Sequence, residues 1–434
     1  MKLFPISLGC SKNKVDCEVL IGNLTANASF SLTDDISEAD LIMINTCAFI
    51  EAAKEEAINT ILEVVSNKTE GQKVIVTGCL STRYKDEISN LIPEVDRFIT
   101  ISEYPKLKEI VNSLFKEHPF SLEFDQNLRL LTSLKETVYV KISEGCNNRC
   151  TYCAIPLIRG RFVSRAREDI IAEVKDLVQK GAKEVNLISQ DTTYYGLDLY
   201  RKEYNIINLL TDLCAIEGAF KIRLLYLYPT LVSDELICFI RDHEKVMPYF
   251  DIPLQHSENR LLKLMNRRGS REDYLCLIQK IREQIPNAIL RTTMIVGFAS
   301  ETEEEFKGLL SFIKEVKFDR LGAFTYSAEE DTVGATLPEQ IPQDVKERRL
   351  EELYKTQEPI ALELNQKHLH EVMDVLITGY DEDAYAYTGR SYAFAPDDID
   401  GIVNVYSSYE LTIGQVYKVE IINATLLSLD GRTI

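Results

Sequence analysis

The sequence predicts an α/β protein in three parts: an open parallel α/β sheet, a partial (β/α)6 barrel and a small all-β barrel. Short apolar strands alternate with helical patterns through the first hundred residues, and the alternation resumes in longer units from Val138. After a long charged helix, only short strands and turn residues follow. We therefore expect domains at residues 1–116, 132–364 and 366–434, a number that suits a chain of 434 residues.

Apolar runs in the first part predict strands at Lys2–Leu8, Ala39–Asn45 and Lys73–Thr77. Helical patterns accompany them at Val15–Leu24, Phe49–Val65 and Tyr84–Leu91. Because strand and helix alternate, we expect right-handed crossovers and parallel strands. The polar, irregular stretch from Glu117 to Glu136 is typical of a linker that leads to a new domain.

The second part contains six candidate strands, at Val138–Ile142, Glu184–Ile188, Lys221–Leu227, Tyr249–Leu254, Ile289–Val296 and Arg320–Tyr326. Between them lie five helical patterns, at Glu168–Lys180, Ile206–Ile216, Asp234–Asp242, Tyr274–Gln284 and Thr302–Lys314. Six βα units are too few to close an eight-stranded barrel, so we expect a partial, open one.

The third part follows a long charged helix at Asp344–His368. Its apolar runs are short and are separated by turn residues, at Val372–Gly379, Ala384–Gly389, Ile402–Val405 and Gln415–Ala424. Short strands of this kind predict a small all-β barrel.

Charge narrows the classes of partner. The chain carries 49 basic and 68 acidic residues, a net charge of −19. That sign disfavours binding to nucleic acid through phosphates, and it suits a basic protein or a small molecule. Apolar stretches such as Leu41–Ile44 fall far short of the ~20 residues of a membrane span, and the N-terminus lacks the apolar region of a secretory signal. We expect a cytoplasmic protein without a membrane segment.

The strongest local signal is the run Gly145–Cys153, in which three cysteines have the spacing CxxxCxxC. Cys146, Cys150 and Cys153 can hold three corners of a four-iron cluster and leave one iron open to a substrate or cofactor. A four-cysteine zinc site would need another CxxC, which the sequence lacks. Disulfides are not expected among the ten cysteines, because the cytoplasm is reducing.

A second set of cysteines is dispersed along the first part. Cys10, Cys47 and Cys79 each follow a predicted strand by one or two residues. The carboxyl ends of parallel strands meet at one edge of a sheet, where ligands bind. We therefore predict a second cluster there; the alternative is three buried thiols at strand ends.

Polar residues in the barrel part provide weaker candidates. Gln190 and Gln255 close two strands and Arg291 lies in a third, so they could bind a polar cofactor at the barrel mouth. Strand-end solvation explains them equally well. A run of arginines could neutralise a carboxylate or contact substrate, or could be a solvated helix start: Arg159, Arg161, Arg165 and Arg167.

Several motifs resemble the radical S-adenosylmethionine methylthiotransferases, and the resemblance covers nearly the whole chain. Those of the first two parts are Ser7-Leu8-Gly9-Cys10-Ser11-Lys12-Asn13, Asn45-Thr46-Cys47-Ala48-Phe49-Ile50, Thr77-Gly78-Cys79-Leu80 and Gly145–Cys153 with Ala154-Ile155-Pro156 and Arg159-Gly160. The third part is placed where that family has its TRAM domain. Three further segments are most similar to the branch that modifies an aspartate of small-subunit ribosomal protein S twelve: Gln190-Asp191-Thr192-Thr193, Asp251–His256 and Gly389-Arg390-Ser391-Tyr392.

The resemblance implies two 4Fe–4S clusters and S-adenosylmethionine as cofactors. The cluster on Cys146, Cys150 and Cys153 would bind S-adenosylmethionine, and its one-electron reduction would give a deoxyadenosyl radical that abstracts hydrogen from the β-carbon of the target aspartate. The other cluster would hold a sulfide that a second S-adenosylmethionine methylates before transfer. Gln190, Gln255 and Arg291 would then contact S-adenosylmethionine, and a flavodoxin- or ferredoxin-type protein would donate the electron.

Two other functions compete with this one. The sister activity is methylthiolation of an adenosine in tRNA, and a different class is a non-enzymatic iron–sulfur electron carrier or sensor. From Gln366 to Ile434 the chain has 4 basic and 11 acidic residues, a net charge of −7. Such a module is a poor RNA clamp, so we expect a ribosomal protein substrate and no direct nucleic-acid binding. Asp397, Asp398 and Asp400 are its expected docking charges.

Overall fold

A parallel five-stranded sheet forms the N-terminal part of the computed structural model, which describes residues 1–117, 120–201 and 203–434. The order across the sheet is β2-β1-β3-β4-β5, with strands β1 Lys2–Ser7, β2 Ser31–Leu32, β3 Leu41–Thr46, β4 Lys73–Gly78 and β5 Arg97–Ile99. Its helices are α1 Ser11–Thr25, α2 Glu51–Ser66, α3 Cys79–Leu91 and α4 Leu107–Leu114.

The sheet is covered on both faces, and its central strand β3 is buried at all six positions. Ile42 and Ile44 of β3 pack into one apolar cluster, which includes residues of α2 and α3. Leu41 and Met43 point to the opposite face and pack with α1 and α4. Alternating side chains of one strand thus belong to two cores, as in a doubly covered parallel sheet.

The structure moves the starts of all three predicted helices, that of α2 by only two residues, and it adds two strands and the helix α4 to the predicted first part. α1 begins at Ser11 instead of Val15, and α3 begins at Cys79 instead of Tyr84. The missed turn of α1, residues 11–14, is polar, and that of α3, residues 79–83, is apolar only at Cys79 and Leu80, so neither shows a helical period. The strands β2 and β5 were not predicted, because two or three residues are too few to show a strand pattern.

The linker packs along α1 and ties the first two parts together. The Asn23 amide donates to the backbone oxygens of Asp125 and Leu128, and Arg129 forms a buried ion pair with Glu18. Two residues of the predicted linker, at positions 118 and 119, lie outside the described residues.

Six parallel strands follow one another in chain order around the second part. The first three-stranded sheet contains β6 Thr137–Lys141, β9 Glu184–Ile188 and β10 Lys221–Leu224. The second contains β11 Tyr249–Asp251, β12 Ile289–Val296 and β13 Arg320–Thr325. A separate pair of short strands, β7 Ser143–Glu144 and β8 Val163–Ser164, follows β6. Backbone bonds of Ile222 with Lys245 and Met247 join the two sheets. The predicted open barrel is confirmed.

Helices cover the outside of the open barrel. They are α6 Arg167–Gln179, α7 Ile206–Cys214, α8 Asp234–Asp242, α9 Asn259–Leu264, α10 Arg271–Gln284 and α11 Glu303–Val316, followed by the long α12 Gln343–Gln366. The short helix α5 Ile155–Ile158 packs instead with α3 of the N-terminal part. The short elements β7, β8, α5 and α9 were not predicted, because each has six residues or fewer. None of the helices in the described ranges is both long and apolar enough to cross a membrane.

The third part is a closed five-stranded barrel in the order β14-β15-β16-β18-β17. Its strands are β14 Val372–Asp381, β15 Ala386–Arg390, β16 Ile402–Tyr406, β17 Val416–Ala424 and β18 Ser428–Thr433. The predicted small barrel is confirmed. The unpredicted strand is β18, which pairs with both β16 and β17 and thereby closes it.

A loop of this barrel covers the amino-terminal end of the open barrel. Arg223 of β10 is fully buried and donates to the backbone oxygens of Ser391 and Tyr392. Arg320 donates to the Ala393 oxygen and lies 4.3 Å from the Phe394 ring centroid. The third part is therefore attached to the second by buried arginines.

The same loop corrects the expectation for its three aspartates. Asp400 is nearly buried, and it accepts hydrogen bonds from Tyr249 and from the Ala395 backbone. Asp397 accepts from the Tyr139 hydroxyl at 2.5 Å. Only Asp398 has no bonded partner among the residues the structure describes, and the Asp397 side chain stays 51% exposed. The expectation is therefore wrong for Asp400, which holds two domains together, and stays a prediction for Asp397 and Asp398.

Candidate metal centres and their surroundings

Three cysteines of the N-terminal part stand where adjacent strands end. Cys10 is the N-cap of α1, Cys47 follows β3, and Cys79 is the first residue of α3. Because β1, β3 and β4 are neighbours in the sheet, these ends share one edge. Cys47 and Cys79 are buried, while Cys10 is exposed.

Two glycines allow these loops to approach one another. A Cβ at Gly9 would lie 2.7 Å from the Cβ of Cys47, and a Cβ at Gly78 would lie 2.4 Å from the Thr46 oxygen. Both glycines have left-handed φ angles, +88° and +94°. No other residue type fits there without displacement of the backbone.

Asn13 holds the edge together, although its function was not predicted from the sequence. Its side-chain amide donates to the Thr46 oxygen at 2.9 Å, and its Oδ1 accepts from the Cys79 thiol at 3.3 Å. The Asn45 side chain donates to the Asn13 backbone oxygen. The run Ser11-Lys12-Asn13 after Cys10 was the only signal that could have indicated it.

Burial controls the protonation of this first set of thiols. It raises the pKa of Cys79 to about 12, although the charge of Arg159 acts in the opposite direction. Burial also raises the pKa of Cys47. Metal binding requires thiolates, so binding of a cluster would release protons here.

The second set of cysteines lies in the loop after β7, at the carboxyl end of β6. Backbone N–H groups of Asn148 and Ile155 point to Sγ of Cys146 at 3.5 Å and of Cys153 at 3.4 Å. The Asn148 side chain also donates to Cys146. Such donors stabilise the negative charge of cluster-bound thiolates.

Residues from α9 and the segment after it fix this loop from outside. Thr151 donates its backbone N–H to the Met265 oxygen, and the Asn266 amide donates to the Arg149 oxygen at 2.9 Å. Arg267 lies 3.9 Å from the Cys150 sulfur. Sequence reasoning missed both Asn266 and Arg267, which belong to no motif.

The donor set fits two iron–sulfur clusters better than single metal ions. In the described ranges, no group of three Cys, His, Asp or Glu side chains converges as one metal ion requires. In a four-iron cluster each cysteine binds a different iron, so the ligand sulfurs stand apart by the width of the cluster. The two sets of three thiols, which do not converge as ligands of one ion would, are compatible with that requirement.

Two of the three predicted cofactor contacts lie at the barrel mouth. The Gln190 amide donates to Glu144 at 3.2 Å, while its buried Oε1 accepts no hydrogen bond from the described residues. Gln255 extends the pairing of β11 with β12, and its backbone bonds Thr293 and Ile295. Gln190 therefore offers a free acceptor at the carboxyl edge.

Arg291 is placed differently from the prediction. It lies in the amino-terminal half of β12, where it donates to Asp251 at 2.9 Å and approaches Asp400 at 4.0 Å. The sequence indicated a strand but not which of its residues reach the mouth. Arg291 belongs to the junction with the third part.

The arginine run divides into two groups. Arg159 is buried and donates to Asp16 and Glu144, at 2.9 Å each, and to Asn13. Arg165 donates to Glu173, whereas Arg161 and Arg167 are exposed. Arg159 and Arg165 thus pair with carboxylates inside the fold, whereas Arg167, at the exposed start of α6, pairs with its neighbour Glu168.

Three protein families match successive parts of the chain. The uncharacterized protein family UPF0004 matches residues 2–100, the radical SAM superfamily matches residues 140–313, and the TRAM domain matches residues 371–434.

Curated relatives match the chain over nearly its full length. The ribosomal protein uS12 methylthiotransferase RimO of Acetivibrio thermocellus is 44% identical, over 99% of this chain and 97% of its own. The protein of that name from Aquifex aeolicus is 46% identical over 100% and 97%, and that from Clostridioides difficile is 45% identical over 99% and 98%.

Solved structures share the fold. A radical S-adenosylmethionine methyltransferase, TsrM, from Kitasatospora setae with cobalamin and a 4Fe–4S cluster bound superposes with a TM-score of 0.56 at 11% identity, covering 86% of this chain and 80% of that one. The cobalamin-dependent radical enzyme OxsB gives a TM-score of 0.53 at 13% identity, over 82% and 56%.

Proposed function

This chain belongs to the ribosomal protein uS12 methylthiotransferases, and we propose that it adds the methylthio group to the β-carbon of an aspartate in uS12. One observation supports the two-cluster arrangement that such a transfer needs. Arg159 of the open barrel contacts both Glu144, two residues before Cys146, and Cys79 of the N-terminal part. Arg159 therefore links a thiol of the N-terminal set to the segment that leads into the second set.

Two 4Fe–4S clusters and S-adenosylmethionine are the cofactors of this enzyme. We propose that Cys10, Cys47 and Cys79 hold one cluster, and that Cys146, Cys150 and Cys153 hold the other. When bound, these groups supply the carbon-centred radical and the sulfur and methyl group that are transferred. Each set has three cysteines, which leaves one iron open.

The protein's own groups bind and orient the cofactors and shield them from water. Asn148 and the backbone N–H of Ile155 donate to the sulfurs of one cysteine set, and the free Oε1 of Gln190 is available to the amino group of S-adenosylmethionine. Helix α1 helps to exclude water from the barrel, because its Val15 packs with Tyr139 and Leu225.

The iron–sulfur chemistry and the charge of the third part also bear on the electron donor and on nucleic-acid binding. A 4Fe–4S cluster accepts one electron at a time, and we propose a flavodoxin- or ferredoxin-type protein as the donor. We place the reaction in the cytoplasm, where ribosomal proteins meet such donors. The acidic third part disfavours direct nucleic-acid binding, since its net charge of −7 repels phosphates.

Mass spectrometry of uS12 and of tRNA tests the proposal in cells with and without the gene. We expect uS12 to lose one methylthio group on deletion and to regain it with the wild-type gene, but not with Cys150→Ala. Loss of a methylthio group from tRNA with unchanged uS12 would favour the sister activity. If the purified protein is reduced in the presence of S-adenosylmethionine and releases no deoxyadenosine, it would be an iron–sulfur electron carrier.

A further inference from the structure

Lys12 is a buried cation between the N-terminal part and the open barrel. It lies in α1, two residues after Cys10, and only 7% of its surface is exposed. Its ammonium lies 2.9 Å from the ring centroid of Tyr226, which follows β10. Among the described residues, Lys12 donates no side-chain hydrogen bond and forms no ion pair.

A buried ammonium of this kind calls for an anion. Removal of the charge from water is costly, and one cation–π contact offsets only part of that cost. The carboxylates of the surrounding segments already have partners: Asp16 pairs with Arg159 and Lys141, and Asp251 pairs with Arg291. Asp191 forms no ion pair among the described residues, but it accepts hydrogen bonds from Asn148 and Thr193. The anion that complements Lys12 therefore comes from outside the chain.

Lys12 lies between the two sets of thiols. Its neighbour Asn13 accepts from the Cys79 thiol. On the other side, the Tyr226 oxygen accepts from the backbone of Thr192 at 3.0 Å. The residue before Thr192 is Asp191, which accepts from Asn148, and Asn148 also donates to Cys146.

Helix α1 brings this ammonium into the barrel. Val15, one turn after Lys12, packs with Tyr139, Ile188 and Leu225 on the inner side of the barrel strands. Tyr226 has a left-handed φ of +62°, held by a hydrogen bond from its N–H to Asp251. The ring is thus fixed as a platform beneath the cation.

We propose that Lys12 binds the side-chain carboxylate of the target aspartate, an inference that rests on the proposed function. An aspartate carboxylate is one bond away from the β-carbon, so an anchor for the carboxylate also places the C–H bond that must break. A residue two positions from Cys10 is suited to hold that carbon near the sulfur donor. Lys12 is then the residue that selects aspartate over its neutral amide.

The test compares Lys12→Met with wild type on two substrates: purified uS12 and a uS12 variant whose target aspartate is changed to asparagine. Wild-type enzyme should prefer the aspartate substrate strongly. Loss of a charged hydrogen bond should lower kcat/KM of Lys12→Met for uS12 roughly 10- to 100-fold, mainly through KM. Its preference for aspartate over asparagine should fall towards unity, and Lys12→Arg should restore part of it.

Lys14→Met is the matched control, because Lys14 lies on the same helix, is partly exposed and faces Asp397 at 3.8 Å. It should retain the aspartate preference. Iron content and reductive cleavage of S-adenosylmethionine without uS12 should be equal in all variants. A merely structural role of Lys12 would change these two readouts and leave the substrate preference unchanged.

Three outcomes would overturn the proposal. The first is equal kcat/KM of wild type and Lys12→Met for uS12. The second is weaker S-adenosylmethionine binding with an unchanged aspartate preference, which would assign Lys12 to the carboxylate of S-adenosylmethionine. The third outcome concerns wild-type enzyme alone, which would modify the asparagine substrate as fast as it modifies natural uS12. Failure of the proposed function itself is distinct, since wild type would then leave natural uS12 unmodified.

Discussion

Arg159, a residue of the open barrel, places its guanidinium 3.6 Å from the sulfur of Cys79 in the N-terminal part. Burial disfavours its charge, but Asp16 and Glu144 keep the pKa of Arg159 well above its ordinary value. A permanent positive charge therefore stands beside one set of thiols while its side chain connects two domains. Arg267 stands in a similar way 3.9 Å from the sulfur of Cys150, so each set of thiols has an arginine beside one of its sulfurs.

We expect Arg159→Met to lower the reduction potential of the N-terminal cluster. Loss of a positive charge and of a donor to a ligand sulfur disfavours the reduced state. Redox titration followed by electron paramagnetic resonance measures both clusters. The barrel cluster should keep its potential. Arg161→Met is the control, since that side chain is exposed; equal potentials in wild type and Arg159→Met would refute the expectation.

The two cysteine sets should bind iron independently. Anaerobically reconstituted wild type should contain about eight irons per chain. Replacement of Cys146, Cys150 and Cys153 together by Ala should remove half of that iron and leave the absorbance of the other cluster. Cys276→Ala, at an exposed cysteine outside both sets, is the control. Loss of all iron from a folded triple variant would contradict independent sites.

The two sets should also differ in function. Cys10→Ala should still cleave S-adenosylmethionine on reduction, because the barrel set is intact, but it should transfer no methylthio group. Cys150→Ala should lose both activities. Chromatography of deoxyadenosine and mass spectrometry of uS12 measure the two steps. Normal transfer by Cys10→Ala would remove the N-terminal set from the reaction.

Glu184 should make the junction of the second and third parts sensitive to acid. Burial raises the pKa of its carboxyl, but the charges of Arg390 and Arg223 outweigh burial and hold the pKa below its ordinary value of 4.5. Its bonds to these arginines, both at 3.0 Å, therefore contribute stability above that value, and this contribution is lost as the pH falls through the lowered pKa.

Glu184→Gln should reduce the free energy of unfolding by about 3–5 kcal/mol near neutral pH, because two buried arginines lose their carboxylate. Urea unfolding of wild type and variant from about pH 7 down to 4 measures the difference. The difference should be constant near neutrality and should shrink below pH 4.5. Asp398→Asn, at an exposed carboxylate of the third part, should have little effect. A difference that does not change with pH would show that Glu184 is not the titrating group.

Much of this architecture was predictable from local patterns. All six barrel strands and the five main helices between them lie within a few residues of their predicted bounds, because apolar periodicity over five or more residues reports which face is buried. Strands of two residues such as β2 and β7 are too short to show a period, and β18 contains a single large apolar side chain, Leu429. Their strand conformation therefore depends on the strands with which they pair. That the six cysteines bind clusters stays a prediction, although their neighbours now support it.

The sequence by itself determined the order of strands and helices and the position of Cys10, Cys47 and Cys79 at strand ends, because parallel strands joined by right-handed crossovers must end at one edge. Only the tertiary structure decided which side chains cross between domains. Asn13 and Arg159 are 146 positions apart in the sequence but form a hydrogen bond, and Lys12 of the N-terminal part contacts Tyr226 of the open barrel. The periodicity of a sequence does not predict such contacts, because they depend on how whole domains pack. For the same reason the sequence did not show that Arg291 lies at the domain junction and not at the barrel mouth.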